Sequence, residues 1–505
     1  MNSSKSIDIK LCGQDFFNFW VGWVECLLAK PIKLACNDGF HYTPEKLGAS
    51  FYPSYKKVKL NGSGIGGVML FLKKSVSIFT LLVGILYANT LRAELIIDIT
   101  EGIQSTHKIA IVPFAMHSAV SDKETEVISQ IISADLASSG DFSVLAKDEM
   151  LSAPTQAEQV KYRHWAVTGQ DYLVIGSILK QDKLYKIKMS LFDVVKKQQI
   201  NDLLINVESS SLRKAGHYLS DAIYKTIMGI DGVFSSRIAY ITTSQSAKKK
   251  KQYSLFVSDY DGNNAVAITK SSEPLMSPAW SPNGLHVAYV SFENKVSEIF
   301  VQTLSTGARR SVAKFKGVNG SPAWSPDGKK LAITLSKSGN SDIFILTLAN
   351  ASVKQLTRSW AIDTEASWSP DGDSILFTSN RGKGAQLYIM PSNGKGTAER
   401  LTFEGDYNAR GSFSKDGKRV VMIQAEKGSY RVAVLDVEKQ QTTILSEGRA
   451  DESPSFSPNG QLVIYARRKA GKEILSLVSV DGLKKQDIKS SSGFVREPAW
   501  APKTK

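Results

Sequence analysis

The sequence predicts an all-β six-bladed β-propeller in the C-terminal half of the chain, preceded by a smaller N-terminal α/β domain. A motif of one aromatic residue and a tight turn recurs six times, at intervals of 44, 44, 45, 43 and 44 residues. Its aromatic anchors are Trp280, Trp324, Trp368, Phe413, Phe456 and Trp500. A fixed period in the forties, with one turn per unit, is typical of four-stranded sheets arranged around an axis.

Each unit reads as four strands joined by turns, as residues 321–357 illustrate. The segment Ser-Pro-Asp-Gly at 325–328 favours a type I turn between the first two strands. Strands are predicted at 322–325, 331–335, 342–348 and 353–357. We interpret the repeat acids Asp327, Asp371 and Asp416 as turn formers rather than metal ligands. The aromatic anchors are expected to fill the space between neighbouring sheets.

The two ends of the repeat region predict how the ring closes. Residues 237–241 match a second strand of the unit, whereas 498–500 match a first strand. The C-terminus should therefore complete the sheet that residue 237 begins, which leaves no unpaired edge. This arrangement makes residues 236–505 a six-bladed propeller of five complete blades and one split blade.

Residues 94–230 are predicted to form the α/β domain. A helix should begin after Ser121 and end at Gly140, because its apolar residues lie on one face and glycine commonly follows a helix. Strands are expected at 94–99 and 108–114, a hairpin at 171–179 and 184–192, and a second amphipathic helix at 212–228. Gly229 and Gly232 precede a change of periodicity and mark the predicted boundary with the propeller.

The N-terminal region reads as an export signal preceded by an extension. Met69 and the basic pair at 73–74 precede an apolar segment at 75–87, and residues 69–93 fit a signal peptide cleaved after Ala93. A single transmembrane anchor is the alternative interpretation. Because secretory signals start at the N-terminus, we interpret residues 1–68 as an upstream extension that precedes the true start of translation.

Composition favours a soluble, exported, multidomain protein. The chain has 505 residues, 42% of them hydrophobic and 22% charged, and a formal net charge of +15. Charges of both signs are interspersed, which argues against a track for nucleic acid. The three cysteines, Cys12, Cys26 and Cys36, lie before the predicted mature chain, as suits an oxidising compartment.

Residue patterns associated with catalysis are missing from the sequence. There is no G-x-S-x-G, G-x-x-x-x-G-K-[ST] or H-E-x-x-H motif, and the six histidines have no ligand spacing. We therefore expect a protein that is not an enzyme and that binds no metal or cofactor. The alternative hypothesis is a secreted metal-dependent propeller hydrolase or lactonase, with a divalent cation held by acids in the central channel.

The propeller motifs and the signal together resemble the TolB family, the periplasmic components of the Tol–Pal envelope system of Gram-negative bacteria. The most specific matching stretches are 257–262, 275–284, 464–465, 477–482 and 497–500. The last motif departs from the usual pattern because Ala501 replaces a serine. The resemblance covers the chain from about Met69 to Lys505.

The resemblance implies a periplasmic adaptor with two partners, attached to the envelope only through them. The propeller would bind the lipoprotein Pal, and the first residues of the mature chain would bind the C-terminal domain of TolA. Such an adaptor would maintain outer-membrane integrity and aid cell division. The TolA-binding motif would comprise Glu94, Leu95, Ile96, Ile97, Asp98 and Ile99. Its alternation suits a strand that adds to the edge of a sheet, in its own domain or in a partner.

The Pal-binding residues are expected in the loops that lead into each first strand, since these loops open at one end of the ring. Loops on a rigid scaffold commonly carry binding residues. The candidates are Met276, Ser277, Asp363, Thr364, Glu365, Arg410, Asp451, Glu452 and Glu497.

Overall fold

A computed structural model describes residues 106–117, 122–245, 250–488 and 494–503, which fall in one compact unit. The predicted extension 1–68, signal 69–93, cleavage site Ala93 and motif 94–99 lie outside the described residues. No helix of the described part is both long and apolar enough to cross a bilayer.

The N-terminal part is a mixed sheet with helices on both faces. Its strands are β1 (His107–Ile111), β2 (Ala115–His117), β3 (Phe142–Val144), β4 (Tyr172–Gln181), β5 (Leu184–Asp193) and β6 (Gln198–Glu208). The sheet order is β3-β1-β4-β5-β6, and β2 also pairs with β4. The helices are α1 (Asp122–Ser139), α2 (Tyr162–Val167) and α3 (Leu212–Met228), with short 3₁₀ turns at Lys147–Glu149, Ala157–Gln159 and Ser209–Ser211.

Alternation along β1 explains why this sheet has two covered faces. Ile109 and Ile111 pack in one apolar cluster with α1 and α3, whereas Ala110 packs in a second cluster with Trp165 of α2. The predicted strand at 108–114 is too long, because β1 ends at Ile111 and β2 begins only at Ala115. Pro113 lies between them and has no N–H to donate to a strand ladder.

The C-terminal part is a ring of six four-stranded antiparallel sheets. Blade 1 comprises β10 (Leu275–Trp280), β11 (His286–Ser291), β12 (Glu298–Thr303) and β13 (Arg309–Ala313). Blade 2 comprises β14 (Asn319–Trp324), β15 (Lys330–Leu335), β16 (Asp342–Thr347) and β17 (Val353–Gln355). Blade 3 comprises β18 (Asp363–Trp368), β19 (Ser374–Gly382), β20 (Gly384–Pro391) and β21 (Glu399–Arg400).

The remaining three blades repeat this order and close the ring. Blade 4 comprises β22 (Tyr407–Phe413), β23 (Arg419–Glu426), β24 (Ser429–Asp436) and β25 (Gln441–Ile444). Blade 5 comprises β26 (Glu452–Phe456), β27 (Leu462–Lys469), β28 (Lys472–Ser479) and β29 (Lys485–Ile488). Blade 6 comprises β30 (Phe494–Trp500), β7 (Arg237–Gln245), β8 (Lys251–Asp259) and β9 (Val266–Ser271).

Closure through both ends of the repeat region is confirmed. Strand β30 pairs antiparallel with β7, with Trp500 opposite Ile238. The amide of Ala501 donates to the carbonyl of Arg237 at 2.8 Å. The first strands of successive blades contact one another around the ring and form its inner wall.

The aromatic anchors join neighbouring blades in two ways. Each lies at the end of a first strand, buried or half-buried. The indole N–H of Trp324 donates to the carbonyl of Ala279 at 3.1 Å, and that of Trp368 donates to Ala323 at 3.1 Å. The indole N–H of Trp280 likewise donates to the preceding blade. A tryptophan anchor therefore supplies both apolar area and a hydrogen bond between blades, which a phenylalanine cannot do.

The repeat acids stabilise the turns, as their type predicts. The Ser325 hydroxyl and the Lys329 amide both donate to Asp327 Oδ1, at 2.6 and 3.0 Å, and Gly328 has a φ of 69°. The hydrogen bond from Ser325 holds the pKa of Asp327 below its ordinary value. Asp371 and Asp416 make the equivalent serine bonds at 2.5 and 2.6 Å.

The α/β part and the propeller share one apolar core at the end of the ring where the first and second strands join. Ile128 and Leu219 of the helices belong to the same cluster as Tyr260 and Leu477 of blades 6 and 5. The Tyr260 hydroxyl donates to Asp135 Oδ1 at 2.9 Å, so polar groups also cross this contact. The opposite end of the ring, which we call the mouth, is where the first strands begin.

Candidate binding site at the mouth of the propeller

One residue near the start of every first strand has a left-handed backbone. We call these six residues the mouth ring: Ser277, Ser321, Glu365, Arg410, Ser453 and Glu497. Their φ angles lie between 45° and 56°, and each stands three residues before an aromatic anchor. The pairing of first and second strands shifts register at the same place in all six blades. Each mouth-ring residue therefore forms a β-bulge that turns its side chain toward the channel.

The local sequence explains why the bulges form there. Proline follows the mouth-ring residue in four blades, as in Pro278 and Pro322, and proline has no N–H to offer a regular ladder. A left-handed conformation costs a residue with a side chain about 1–2 kcal/mol. Non-glycine residues that keep such a conformation cluster at binding sites. Because this left-handed conformation is present in all six blades, the mouth ring is the candidate site.

The mouth ring surrounds a cavity of about 190 Å³ and carries an ordered polar network. Arg410 Nε donates to Glu365 Oε1 at 2.9 Å, and the backbone amide of Arg410 donates to Glu365 Oε2 at 3.2 Å. The Thr378 hydroxyl donates to the same Oε2 at 3.0 Å, and Arg410 Nη1 donates to the Ser453 hydroxyl. The network connects blades 3, 4 and 5 and fixes the side chains before any partner binds.

Carboxylates outnumber guanidinium groups on the other side of the ring. Glu497 accepts a hydrogen bond from the Ser277 amide at 2.5 Å, and Arg496 pairs with Glu473 of blade 5. Burial raises the pKa of Glu452 to about 7, against the opposing effect of Arg496, with Glu497 adding to the rise. Burial also raises the pKa of Glu497. This half of the mouth therefore takes up protons near neutral pH.

We expect Glu452→Gln to become more stabilising as the pH rises from 5 to 8. A carboxyl group whose folded pKa exceeds its unfolded value stabilises the fold below the unfolded pKa, near 4.5, and loses that contribution as the pH passes about 7. The glutamine variant should therefore gain on the order of 2 kcal/mol relative to wild type between pH 5 and pH 8. Urea unfolding at both pH values measures the change.

Glu426→Gln is the matched control, because the Glu426 side chain is 68% exposed on the same half of the propeller. Its stability relative to wild type should vary much less over this pH range. Equal pH trends for the two variants would contradict the assignment of a raised pKa to Glu452.

The structure places the sequence-predicted residues in two groups. Ser277, Glu365, Arg410 and Glu497 belong to the mouth ring, and Glu452 stands beside it. The other four predicted residues have roles within or between blades. Asp363 is fully buried and accepts two bonds of 2.8 Å from Arg381, Asp451 is buried, Met276 packs between blades, and Thr364 contacts Thr334 across a 3.3 Å hydroxyl pair. Eight of the nine predicted residues lie within first strands, whereas Asp451 lies in the preceding loop, directly before β26.

Sequence reasoning missed two members of the mouth ring and two aromatic residues at its rim. Ser321 and Ser453 occupy the same repeat position as Glu365, so the position within the repeat could have identified them. Trp360 and Phe403 lie in the loops that enter β18 and β22, and their exposed fractions are 78% and 69%. Trp360 is the one propeller tryptophan in the sequence that is not a repeat anchor, which was a usable signal.

The loop that carries Trp360 is held in place on both sides of the indole. Asn340 Nδ2 donates to the Ser359 carbonyl at 3.0 Å and also to the Ala361 carbonyl. The Ala361 amide donates to the Ser359 hydroxyl at 3.1 Å. A large aromatic side chain on a fixed loop can be buried by a partner with little loss of conformational entropy.

The fold and this site define a two-domain β-propeller protein with a preorganised polar mouth and an aromatic rim. Comparison with known proteins identifies its family. The profile described as "TolB beta propeller domain" matches residues 224–504, and that described as "TolB amino-terminal domain" matches residues 95–200. The chain therefore belongs to the TolB family.

Relatives and a solved structure agree with this assignment. The Tol-Pal system protein TolB of Xylella fastidiosa is 49% identical over 428 residues, which cover 84% of this chain and 97% of the relative. The protein of the same name from Xanthomonas campestris pv. campestris is 49% identical over 411 residues, covering 81% and 93%. The crystal structure of TolB from Acinetobacter baumannii is 41% identical, with a TM-score of 0.73 over 79% of this chain and 97% of that one.

Family membership settles the class of function. The chain is a component of the Tol–Pal system, an envelope protein, and not an enzyme. The prediction of a non-catalytic protein is confirmed, and the alternative of a secreted hydrolase or lactonase is not retained.

Proposed function

We propose that this chain is a periplasmic adaptor that binds Pal at the mouth of the propeller and the C-terminal domain of TolA through residues 94–99. Through these two contacts it would link the outer membrane to the inner-membrane part of the system. The link would support outer-membrane integrity and cell division. The protein would associate with the envelope only through its partners.

The mouth ring is the observation that carries the Pal-binding part of the proposal. Six left-handed residues retain their strain in all six blades, and an ion pair at 2.9 Å fixes two of them, Glu365 and Arg410. Preorganised polar groups lose little entropy on binding. A partner that buries these groups without offering hydrogen bonds would pay the cost of their desolvation. The ring thus favours one partner of matching polarity over others.

The exposed rim supplies the apolar area that the polar ring lacks. Trp360 and Phe403 lie in the loops that enter adjacent blades, and the Arg400 guanidinium stands over the Phe403 ring, 5.3 Å from its centroid. Interfaces typically combine exposed aromatic anchors with a polar surround. The arrangement suits a folded protein domain laid across the mouth, with one segment directed into the channel.

The TolA-binding part rests on the N-terminal motif, which lies outside the described residues. Cleavage after Ala93 would make Glu94 the first residue of the mature chain. The alternating segment Glu94, Leu95, Ile96, Ile97, Asp98 and Ile99 then stands only a few residues before β1, which begins at His107. A free, alternating terminus suits strand addition to the edge of a partner sheet.

If two separate regions bind the two partners, a deletion in one region should affect one partner only, and this expectation tests the proposal. Removal of residues 94–102 should abolish binding of the TolA domain, because the strand that adds to the partner sheet is gone. The same deletion should leave Pal binding unchanged, since the mouth is on the propeller. Isothermal titration of the purified protein with each partner measures both affinities.

The wild-type protein and a Leu285→Ala variant serve as controls. Leu285 is exposed in a turn at the end of the ring away from the mouth, so its truncation should change neither affinity. Unchanged affinity for TolA after the deletion would contradict the role of residues 94–99. Absence of Pal binding by the wild-type protein would contradict the adaptor proposal itself.

A further inference from the structure

A histidine of the α/β part faces two carboxylates of blade 6 where the two parts pack together. His217, on α3, is 2% exposed, and its Nε2 atom is buried without a hydrogen-bond partner among the described residues. Asp259 ends β8, and Asp261 lies in the turn that follows. One nitrogen or oxygen atom from each of these three residues lies within 4.8 Å of the other two.

A second carboxylate orients the histidine ring. His217 Nδ1 lies 2.8 Å from Asp135 Oδ2 on α1. Since an ionised carboxylate only accepts hydrogen bonds, Nδ1 donates to Asp135, which leaves Nε2 as the ring nitrogen available to a ligand. Asp135 is itself fixed, because its Oδ1 accepts a bond of 2.9 Å from the Tyr260 hydroxyl. A carboxylate behind a histidine is the usual outer support of a metal-bound imidazole.

We propose that His217, Asp259 and Asp261 form a zinc-binding site between the α/β part and the propeller. One imidazole and two carboxylates are a donor set that zinc accepts, and water would complete a tetrahedral arrangement. A buried ring nitrogen without a hydrogen-bond partner and two nearby carboxylates are together unfavourable unless a positive charge lies among them. A divalent cation provides that charge and uses all three donors at once.

The positive charge beside the carboxylates at present is Arg213, one helical turn before His217. Its Nε lies 3.3 Å from Asp259 Oδ2, and its Nη2 donates to Asp261. The guanidinium is not hydrogen-bonded to His217 Nε2, which has no hydrogen-bond partner among the described residues. Arg213 and zinc therefore compete for the same two carboxylates. The side chains of Arg213, Asp259 and Asp261 are 28%, 24% and 23% exposed, which gives the ion a route from solvent.

Zinc at this position would connect two parts of the chain that fold around a shared core. His217 comes from α3 and both carboxylates come from blade 6, so the ion would bind only the packed arrangement. A ligand that binds only the folded state raises the temperature of unfolding, and the stabilisation grows with the logarithm of its concentration relative to its dissociation constant. The site is at the opposite end of the ring from the mouth, so this inference is independent of the proposed partners.

Isothermal titration of the metal-free purified protein with zinc chloride tests the proposal. The wild type should bind one zinc ion that His217→Gln loses, seen as at least a tenfold weaker affinity at this site. Arg213→Ala should bind zinc at least several-fold more tightly than wild type, because the competing cation is removed. An interface without a metal role predicts no gain from that variant, only a weaker fold.

His286→Gln is the matched control, because His286 lies on β11 in blade 1, away from the site. It should bind zinc as the wild type does. Equal zinc affinity in wild type and His217→Gln would overturn the proposal, as would unchanged or weaker binding by Arg213→Ala. Failure of the wild type to bind zinc would overturn it as well. Circular dichroism of each variant establishes that it is folded, and Arg213→Ala keeps the test open if His217→Gln does not fold.

Discussion

Deletion of residues 497–505 should lower the temperature at which the propeller unfolds by about 10 °C or more. These residues include most of β30, the strand that completes blade 6 by pairing with β7. The deletion removes Trp500, whose indole N–H donates to the Ser236 hydroxyl at 2.7 Å and whose ring belongs to the core shared with the α/β part. Loss of a buried tryptophan alone costs about 3–5 kcal/mol, and about 1 kcal/mol shifts unfolding by 2–4 °C in a domain of this size.

The deletion also opens the ring. Without β30, the inner edge of β7 and the neighbouring face of blade 1 lose their partners, and unpaired edges promote association. Thermal unfolding followed by circular dichroism measures the effect, and sedimentation reports association. A variant that lacks only residues 504 and 505 is the control and should unfold as the full chain does. Unfolding of the longer deletion at the same temperature as the full chain would show that β30 does not stabilise the ring.

Replacement of Trp360 by alanine should weaken Pal binding by about tenfold to a hundredfold. Aromatic anchors that a partner buries commonly contribute 2 kcal/mol or more to binding, and 1.4 kcal/mol corresponds to tenfold in affinity. Because 78% of the Trp360 side chain is exposed, its truncation should leave the stability of the propeller nearly unchanged. The hydrogen bonds of Asn340 to the loop carbonyls do not involve the indole and would persist.

Titration of wild type and variant with Pal measures this effect, with thermal unfolding as a check on the fold. Leu285→Ala is the matched control, since it also removes an exposed apolar side chain, 56% exposed, but from the other end of the ring. Full affinity in Trp360→Ala would exclude the rim as part of the interface. A comparable loss in Leu285→Ala would show that binding does not distinguish the two ends.

The repeat motif determined the propeller because each copy carries its structural reasons within a few residues. Ser325, Asp327 and Gly328 make a turn by local hydrogen bonds and backbone preference, and an aromatic anchor precedes it at a fixed distance. Such signals depend on neighbours in the sequence, so they can be read without the fold. The helix Leu212–Met228 and the hairpin of β4 and β5 were recoverable for the same reason.

Elements with weak local signals were not recoverable. Neither β6, whose exposed and half-buried residues alternate along the edge of its sheet, nor the six-residue helix α2 has a clear signal in the sequence. Their positions depend on pairing with β5 and on packing of Trp165 against the sheet. Tertiary contacts of this kind override local preference.

The sequence by itself determined the six blades, their closure by the C-terminus and the family of the protein, because period, turn chemistry and motif identity are local properties of the chain. Only the tertiary structure separated the buried Asp363 and Asp451 from the channel-facing Glu365 and Arg410 among residues that look alike in the sequence. Only the fold brought His217 to Asp259 and Asp261, more than forty residues along the chain. A β-bulge reverses which of two neighbouring residues faces the channel, and packing of separate domains brings distant side chains together. The spacing of residues along the sequence therefore predicts neither result.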